Sequence, residues 1–257
     1  MVPLLKLDGL HAGYGRVPVV ADASLEVVPG EMVALFGANG AGKTTLLKAI
    51  AGFVKPSAGV ITLSGRPLPA GKPERTAARG IRMVLEGHRV FPELTVEQNL
   101  KLARYTMKRG AAFDERQEQA LSLFPALKQK LAQYASDLSG GQQQLLAMAQ
   151  AVIGEPEYLL CDEPSLGVAS ILIPEILRAL RALADDGCGV LVVEQAVEPT
   201  LSYVDRVLVM DRGLIVLEGA ATAYRDQPSS LKDVILGSTA PISANDRRDI
   251  HGISRQI

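Results

Sequence analysis

Cysteine is scarce in this chain: two among 257 residues, Cys161 and Cys188. Each lies in or beside an apolar run, Tyr158-Leu159-Leu160-Cys161 and Cys188-Gly189-Val190-Leu191-Val192-Val193. Thiols so placed read as small buried hydrophobes in a reducing compartment, not as a disulfide framework or a cysteine metal site. Histidine is as sparse, and His11, His88 and His251 have no metal-ligand spacing. Charge of one sign is missing too. A formal net charge of −1 gives no global drive toward nucleic acid or anionic lipid, and no run of basic residues supplies a local one. No apolar stretch approaches the length of a transmembrane helix. The start, Met1-Val2-Pro3-Leu4-Leu5-Lys6, lacks the charged-then-apolar layout of a signal peptide. A cytoplasmic protein is expected. No internal repeat is visible.

Apolar residues make up 47% of the chain and charged residues 21%, which supports a packed core and argues against global disorder. The length allows one large α/β domain or two small ones. Short strand-like pieces come first, at Leu4 to Leu10 and Ser24 to Val28, with Pro29-Gly30 as a turn into an apolar run at Met32–Phe36. Further runs follow at Val60–Leu63, Ile81–Leu85, Tyr158–Cys161, Val190–Val193 and Val207–Met210. Residues 64–80 read as a loop with at most one short helix. Thr95 to Val152 holds no strand candidate and opens on Thr95-Val96-Glu97-Gln98, a capping box. A helix is predicted over Leu172 to Ala184, with Pro174 in its first turn. Asp211-Arg212-Gly213 predicts a hairpin turn into Leu214–Leu217. Strands alternating with helices imply a mainly parallel sheet covered on both faces, with a small antiparallel sheet beside it. Residues from about Ser238 to Ile257 lack apolar periodicity and are expected to form a flexible tail.

The stretch Gly37-Ala38-Asn39-Gly40-Ala41-Gly42-Lys43-Thr44-Thr45 fits the phosphate-binding pattern of glycine, four residues, then Gly-Lys-Thr. It follows the strand-like run at Met32 and precedes the helical spacing of Leu46-Leu47-Lys48-Ala49-Ile50. Strand, glycine loop and helix together make an anion cradle. Backbone N–H groups turn inward, and the helix N-terminus adds partial positive charge. Lys43 can then reach the β- and γ-phosphates, and the Thr44 hydroxyl can bind Mg²⁺. A phosphate loop needs a metal carboxylate, and Tyr158–Cys161 ends in Asp162-Glu163 at the carboxyl edge where ligands bind in such sheets. Asp162 is the candidate ligand of Mg²⁺, and Glu163 the candidate that orients and polarises the attacking water.

Leu138-Ser139-Gly140-Gly141-Gln142 adds a second capping box, Ser139 with Gln142, and so a second helix start able to face an anion. One nucleotide cannot easily use both sites within one chain. This pentapeptide resembles the signature of ATP-binding-cassette (ABC) ATPases, and the resemblance runs over about residues 4–237 with the main motifs in order. It implies a P-loop NTPase fold: a RecA-like, mainly parallel core, an antiparallel β subdomain and an inserted helical subdomain at about 87–150, all within an ATP-binding domain of 1–237. It also implies ATP and Mg²⁺, and two cassettes paired head to tail. Each ATP then lies between the Lys43 loop of one cassette and Ser139, Gly140, Gly141 and Gln142 of the other. The same resemblance puts Tyr14 where an aromatic stacks on adenine and Glu86 at a Mg²⁺-ligating glutamine position. Ser165-Leu166-Gly167-Val168-Ala169 falls on the dimer-contact loop, and Gln195 on the switch-histidine position, so that Lys43, Glu163 and Gln195 form the candidate catalytic set.

Three positions depart from the general pattern: Glu86 for glutamine, Ala169 for aspartate and Gln195 for histidine. An amide at 195 can donate to a phosphate but cannot become cationic. Residues 86–100, Asp162–Gly167 and Val192-Val193-Glu194-Gln195 resemble the second ATPase of branched-chain amino acid importers, to which urea and amide importers are close. Leu85 and His88 depart from that branch. The resemblance implies permease partners docked near Glu86 and residues 87–100, a second cassette, an indirect solute-binding protein, and a place on the cytoplasmic face of the plasma membrane. A DNA-repair ATPase is disfavoured, since the short span from Glu86 to Leu138 leaves no room for a coiled coil. A translation-factor cassette is disfavoured because such chains carry two cassettes. A regulatory cassette with little turnover remains as the alternative, opposed by the presence of both Asp162 and Glu163.

Overall fold

The central strands are buried on both faces, and the alternation of their side chains divides the interior in two. The computed structural model describes residues 4–87, 90–107 and 112–237. One sheet is built from β1 (Leu5–Tyr14), β2 (Val17–Val27), β4 (Ala58–Leu63) and β5 (Arg66–Pro67). It is antiparallel, in the order β2-β1-β4-β5. The other is built from β3 (Met32–Phe36), β6 (Ile81–Val84), β7 (Tyr158–Asp162), β8 (Gly189–Val193), β9 (Arg206–Asp211) and β10 (Leu214–Ala220). Its order is β10-β9-β3-β8-β7-β6, parallel except for the β9–β10 hairpin at the edge. In β3, Met32, Ala34 and Phe36 enter one apolar cluster, and Val33 and Leu35 enter the other. Strands β7, β8 and β9 divide in the same way.

The helices α1 (Lys43–Ile50), α2 (Pro73–Ala77), α3 (Val96–Leu102), α4 (Phe113–Leu123), α5 (Gly140–Ile153), α6 (Ile173–Asp185), α7 (Val197–Leu201) and α8 (Pro228–Ile235) cover the parallel sheet. Leu46, Leu47 and Ile50 of α1 join the cluster shared with the antiparallel sheet. Residues of α3 to α6 form the cluster on the opposite face. Burying side chains of this size contributes about 1.5–3 kcal/mol each. Both predicted capping boxes are present. Thr95 accepts from Gln98 and Ser139 accepts from Gln142, and each glutamine bonds back to the cap. The hairpin turn also forms at the predicted place, with Arg212 (φ 46) and Gly213 (φ 86) consecutively left-handed, as a tight two-residue turn demands.

Among the described residues, the reach of β1 and β2 and the helices α7 and α8 differ from the sequence reading. β1 and β2 reach Tyr14 and back from Val17, well beyond the pieces expected at Leu4–Leu10 and Ser24–Val28. Register shifts between Leu7 and Leu10, and again before Ala12 and Gly13, break the alternation that would have shown them. Helix α7 is five residues long and carries Pro199, and α8 buries only Leu231. Neither presents an apolar stripe long enough to read. The expected tail at 238–257 lies outside the described residues, as do His88 and His251.

Tyr158 ties the two sheets together. Its ring is 1% exposed, and its hydroxyl donates to Val27 O at 3.1 Å and accepts from Leu5 N at 3.2 Å. A Cβ on the neighbouring Gly189 would stand 2.3 Å from the ring. Burial pushes the phenol from 10.0 up to about 12. The folded value lies above the unfolded one, so this contribution is present below about pH 10 and is lost as pH rises through about 12. Tyr158→Phe is expected to cost about 1–3 kcal/mol in urea melts at pH 8, because Leu5 N–H and Val27 O lose their partner. The variant should also lack the wild type's extra loss of stability between pH 10 and 12. An equal alkaline slope in both proteins would contradict the assignment.

Candidate functional site

Strand β3 ends at Phe36, and the chain then turns at the carboxyl edge of the parallel sheet. Close backbone approach makes glycine necessary there. A Cβ on Gly37 would stand 2.2 Å from Met210 O, and one on Gly42 would stand 2.9 Å from Val19 O. Gly42 also takes φ 109 as the N-cap of α1, and no side chain caps that helix. The first N–H groups of α1 and the positive end of its dipole are therefore left for an anion.

Lys43 is 5% exposed, and its ammonium donates to Gly37 O at 2.8 Å and Ala38 O at 3.1 Å. Glu163 Oε1 stands 3.9 Å away. Burial lowers the lysine's pKa, and the nearby charges of Glu163 and Asp162 oppose that shift. Asp162 closes β7 at 1% exposure, and Thr44 Oγ1 donates to its Oδ1 at 3.1 Å. Burial raises the Asp162 carboxyl above the ordinary range; the Thr44 bond opposes this, and Glu163 and Glu86 add to it. Glu163 takes φ 48, the left-handed region. Such a conformation costs a non-glycine residue about 1–3 kcal/mol and collects at functional positions. Its N–H donates to Val193 O at 3.0 Å, and its Oε2 accepts from Gln195 Nε2 at 2.6 Å. Gln195 Nε2 also lies 3.3 Å from Asn39 Oδ1.

These groups surround a cavity of about 450 Å³. Asn39, Gly40, Gly42, Lys43, Thr44 and Thr45 line it from the loop and α1. Glu86, Glu163 and Gln195 line it from the ends of three other segments. Val19, which the sequence did not single out, and Leu166, of the loop expected at the dimer contact, complete it. Gly37 and Ala38, at the start of the loop, line a second cavity with Phe36, Glu194 and Val197. Ala41 is buried at 4% exposure. Tyr14 is 51% exposed at the end of β1, opposite Val17, and is not among the lining residues. Ser139, Gly140, Gly141 and Gln142 do not line the cavity either. Ser139 and Gly140 are exposed at the start of α5.

Two buried polar side chains were given no role by the sequence reading. Asn99 fixes the loop before α3: its Oδ1 accepts from Phe91 N at 2.9 Å, and its Nδ2 donates to Phe91 O, Leu94 O and Thr95 O. Glu194, 2% exposed, accepts from Ser165 and from the Gln195 N–H. Its signal was available, since an acid ending the apolar run of β8 is the pattern that exposed Asp162. Cys161 and Cys188 are both buried and free, as read from the sequence, and burial raises both thiols.

A glycine loop pinned between strands, an uncapped helix start and a buried lysine beside paired acids define a nucleotide-binding cassette. A family model described as "ABC transporter" matches residues 20–166. The high-affinity branched-chain amino acid transport ATP-binding protein BraG of Pseudomonas aeruginosa is 39% identical over 235 residues, 91% of this chain and all of that one. The xylose/arabinose import ATP-binding protein XylG of Sulfolobus acidocaldarius is 32% identical over 84% of this chain and 88% of its own. A solved structure of an ATP-binding subunit of an ABC transporter superposes with a TM-score of 0.75 at 29% identity, covering 88% of this chain and 93% of that one. The chain belongs to the ABC transporter family. It is the ATP-binding subunit of an importer, and it couples ATP hydrolysis to transport. Cassettes of this family work with permease subunits and with a second cassette. No helix among the described residues is long and apolar enough to cross a membrane.

The contact of Gln195 with Glu163 makes a pH prediction. With an amide at 195, no ionisation of that side chain enters the rate profile. Gln195→His is expected to add an ionisation near pH 6.5, the ordinary histidine value, to the ATPase pH–rate curve. A curve superimposable on wild type between pH 5.5 and 7.5 would contradict a role for residue 195 beside the reacting groups.

Proposed function

We propose that the cavity above Lys43 receives the triphosphate of ATP, and that this chain drives uptake of branched-chain or other hydrophobic amino acids. The observation that carries the site reading is Lys43 itself, a buried ammonium whose hydrogen bonds among the described residues go to loop carbonyls, beside a helix start with no side-chain cap. A phosphate is a better partner for both. The α1 amides and Lys43 hold the β- and γ-phosphates. Glu163 orients water for attack on the γ-phosphorus and takes its proton as the bond to the β–γ bridging oxygen breaks. Gln195 keeps Glu163 in place and donates toward the γ-phosphate. Positioning and charge stabilisation supply most of the rate.

Thr44 and Asp162 suit Mg²⁺, since a hydroxyl and a carboxylate oxygen already meet at 3.1 Å. Among the described residues no group of three or more His, Cys, Asp or Glu forms a metal cluster. That fits an ion that would be held mainly by substrate phosphates and water with one or two protein carboxylates. Glu86 completes the proposed set, and the ion, when bound, would supply neutralisation of phosphate charge.

Ser139, Gly140, Gly141 and Gln142 lie away from this cavity and serve the ATP of the opposed cassette. Support comes from the exposed apolar side chains in and just after the 165–169 loop, Leu166 at 44% and Ile171 at 83%. Tyr14 stands free at its hairpin to meet adenine. The permease docks at the groove of about 310 Å³ lined by Leu85, Phe91, Leu102 and Ala151, where Phe91 is 55% exposed. The chain then divides as a cassette of 1–237, with a helical subdomain at about 87–150, and a tail at 238–257. It sits on the cytoplasmic face of the plasma membrane, with a second cassette (a copy or, as the branch resemblance favours, a different chain) and, indirectly, a solute-binding protein. The amino-acid reading rests on the residues shared with that branch and on the full-length match to the P. aeruginosa protein.

Lys43→Ala is expected to abolish ATP turnover, and wild-type activity in it would contradict the phosphate-loop assignment. Glu163→Gln should keep ATP binding while lowering turnover by about 10²-fold or more, and should give an ATP-dependent cassette dimer on a sizing column. Uptake of labelled leucine should be lost in cells carrying Lys43→Ala. Loss of urea or amide uptake instead would move the substrate to the neighbouring branch.

A further inference from the structure

Glu194 has no part in the reaction as described, yet it is the most fully engaged acid beside the cavity. Its Oε1 accepts from Ser165 N–H at 3.1 Å, and its Oε2 accepts from Ser165 Oγ–H at 2.6 Å and from Gln195 N–H at 3.3 Å. The backbone N–H groups of Ser165 and Gln195 reach different oxygens, so only a group that accepts on both sides satisfies them. A carboxylate does so. A carboxamide would turn its NH₂ toward one of these backbone donors. Burial raises the Glu194 carboxyl, and the bonds from Ser165 and Gln195 oppose that shift.

The two partners belong to different parts of the site. Gln195 bonds Glu163 through its side chain. Ser165 opens the loop at 165–169, whose Leu166 lines the phosphate cavity. The far end of that loop packs on the start of α5. A Cβ on Gly141 would stand 3.2 Å from Val168 Cγ1 and 3.0 Å from Leu172 Cδ1. One buried carboxylate therefore joins the amide that holds Glu163 to the loop that abuts the Ser139 helix. Neither Glu194 nor Ser165 lines the phosphate cavity.

We propose that Glu194 is a positioning residue for hydrolysis: through Ser165 and the Gln195 N–H it fixes the dimer-contact loop and the Glu163–Gln195 pair in one arrangement. This rests on the proposed reading of the cavity as the ATP site. The geometry points to an effect on the chemical step ahead of nucleotide capture, because among the described residues Glu194 bonds only Ser165 and the Gln195 N–H, and the clamp meets the phosphate loop at one place, where Gln195 Nε2 lies 3.3 Å from Asn39 Oδ1.

The test uses the full chain assembled with its permease and second cassette, and compares Ser165→Ala, Glu194→Gln and the double variant. Each single change is expected to lower kcat about ten- to a hundredfold, the scale set by small misplacements of catalytic groups. KM for ATP, and the affinity for a non-hydrolysable ATP analogue, should stay at the wild-type value. The double variant should be no slower than Glu194→Gln, since both changes break one unit. Wild-type kcat in Ser165→Ala overturns the proposal, as does a loss of analogue affinity with kcat unchanged. If Glu194→Gln does not fold, Ser165→Ala alone decides. Lys43→Ala run alongside separates the two levels. Turnover retained in it overturns the ATP-site reading itself, whereas turnover lost there but intact in Ser165→Ala overturns only the clamp.

Discussion

The ammonium of Lys43 is the constraint around which this molecule is arranged. A cation taken out of water costs several kcal/mol unless it is paired and hydrogen-bonded. Here the pairing is incomplete. Two backbone carbonyls of its own loop accept from it, and the carboxylate of Glu163 stays at 3.9 Å. Such a loop does not hold its shape on its own account. It is held from outside, with Gly37 pressed on the backbone of β9 and Gly42 on that of β2, so that both sheets fix the place where α1 begins. The stability that sustains this comes from the two apolar clusters, which the alternating side chains of β3, β7, β8 and β9 fill from either face.

The acidic side of the cavity follows the same logic. β7 delivers Asp162 and Glu163 in succession, one buried and bonded to Thr44, the other bent into a left-handed conformation and caught by Gln195. β8 delivers Glu194 and Gln195 in the same way. Two neighbouring parallel strands thus each end in a buried acid and a cavity-lining residue, and the Glu194–Ser165 bonds join the two ends. In the proposed function this makes one chain half of two sites. Its lysine loop faces one nucleotide, and its Ser139 helix, packed against the 165–169 loop through Gly141, serves the other.

Much of this was legible in the residues because it obeys local rules. The glycine loop between an apolar run and a helical pattern, the capping boxes at Thr95 and Ser139, and the Arg212-Gly213 turn all depend on neighbours within a few positions. What was not legible depends on partners far away in sequence. The full extent of β1 and β2 is hidden by bulges that break the alternation. Val19 enters the cavity wall only because β2 folds back over Gly42. Glu194 finds Ser165 across 29 residues, and Tyr158 reaches Val27 across 131. Such contacts are set by tertiary packing, which local pattern cannot report.

The central claim is that Lys43 is held ready for a triphosphate shared with an opposed cassette. A crystal structure of the cassette pair with an ATP analogue tests it most directly. The account predicts Lys43 Nζ moved from the carbonyls of Gly37 and Ala38 onto phosphate oxygens, with Ser139 of the opposed cassette at hydrogen-bond distance from the γ-phosphate. A nucleotide bound elsewhere, or Lys43 still on its own loop with Ser139 remote from every phosphate, would contradict it.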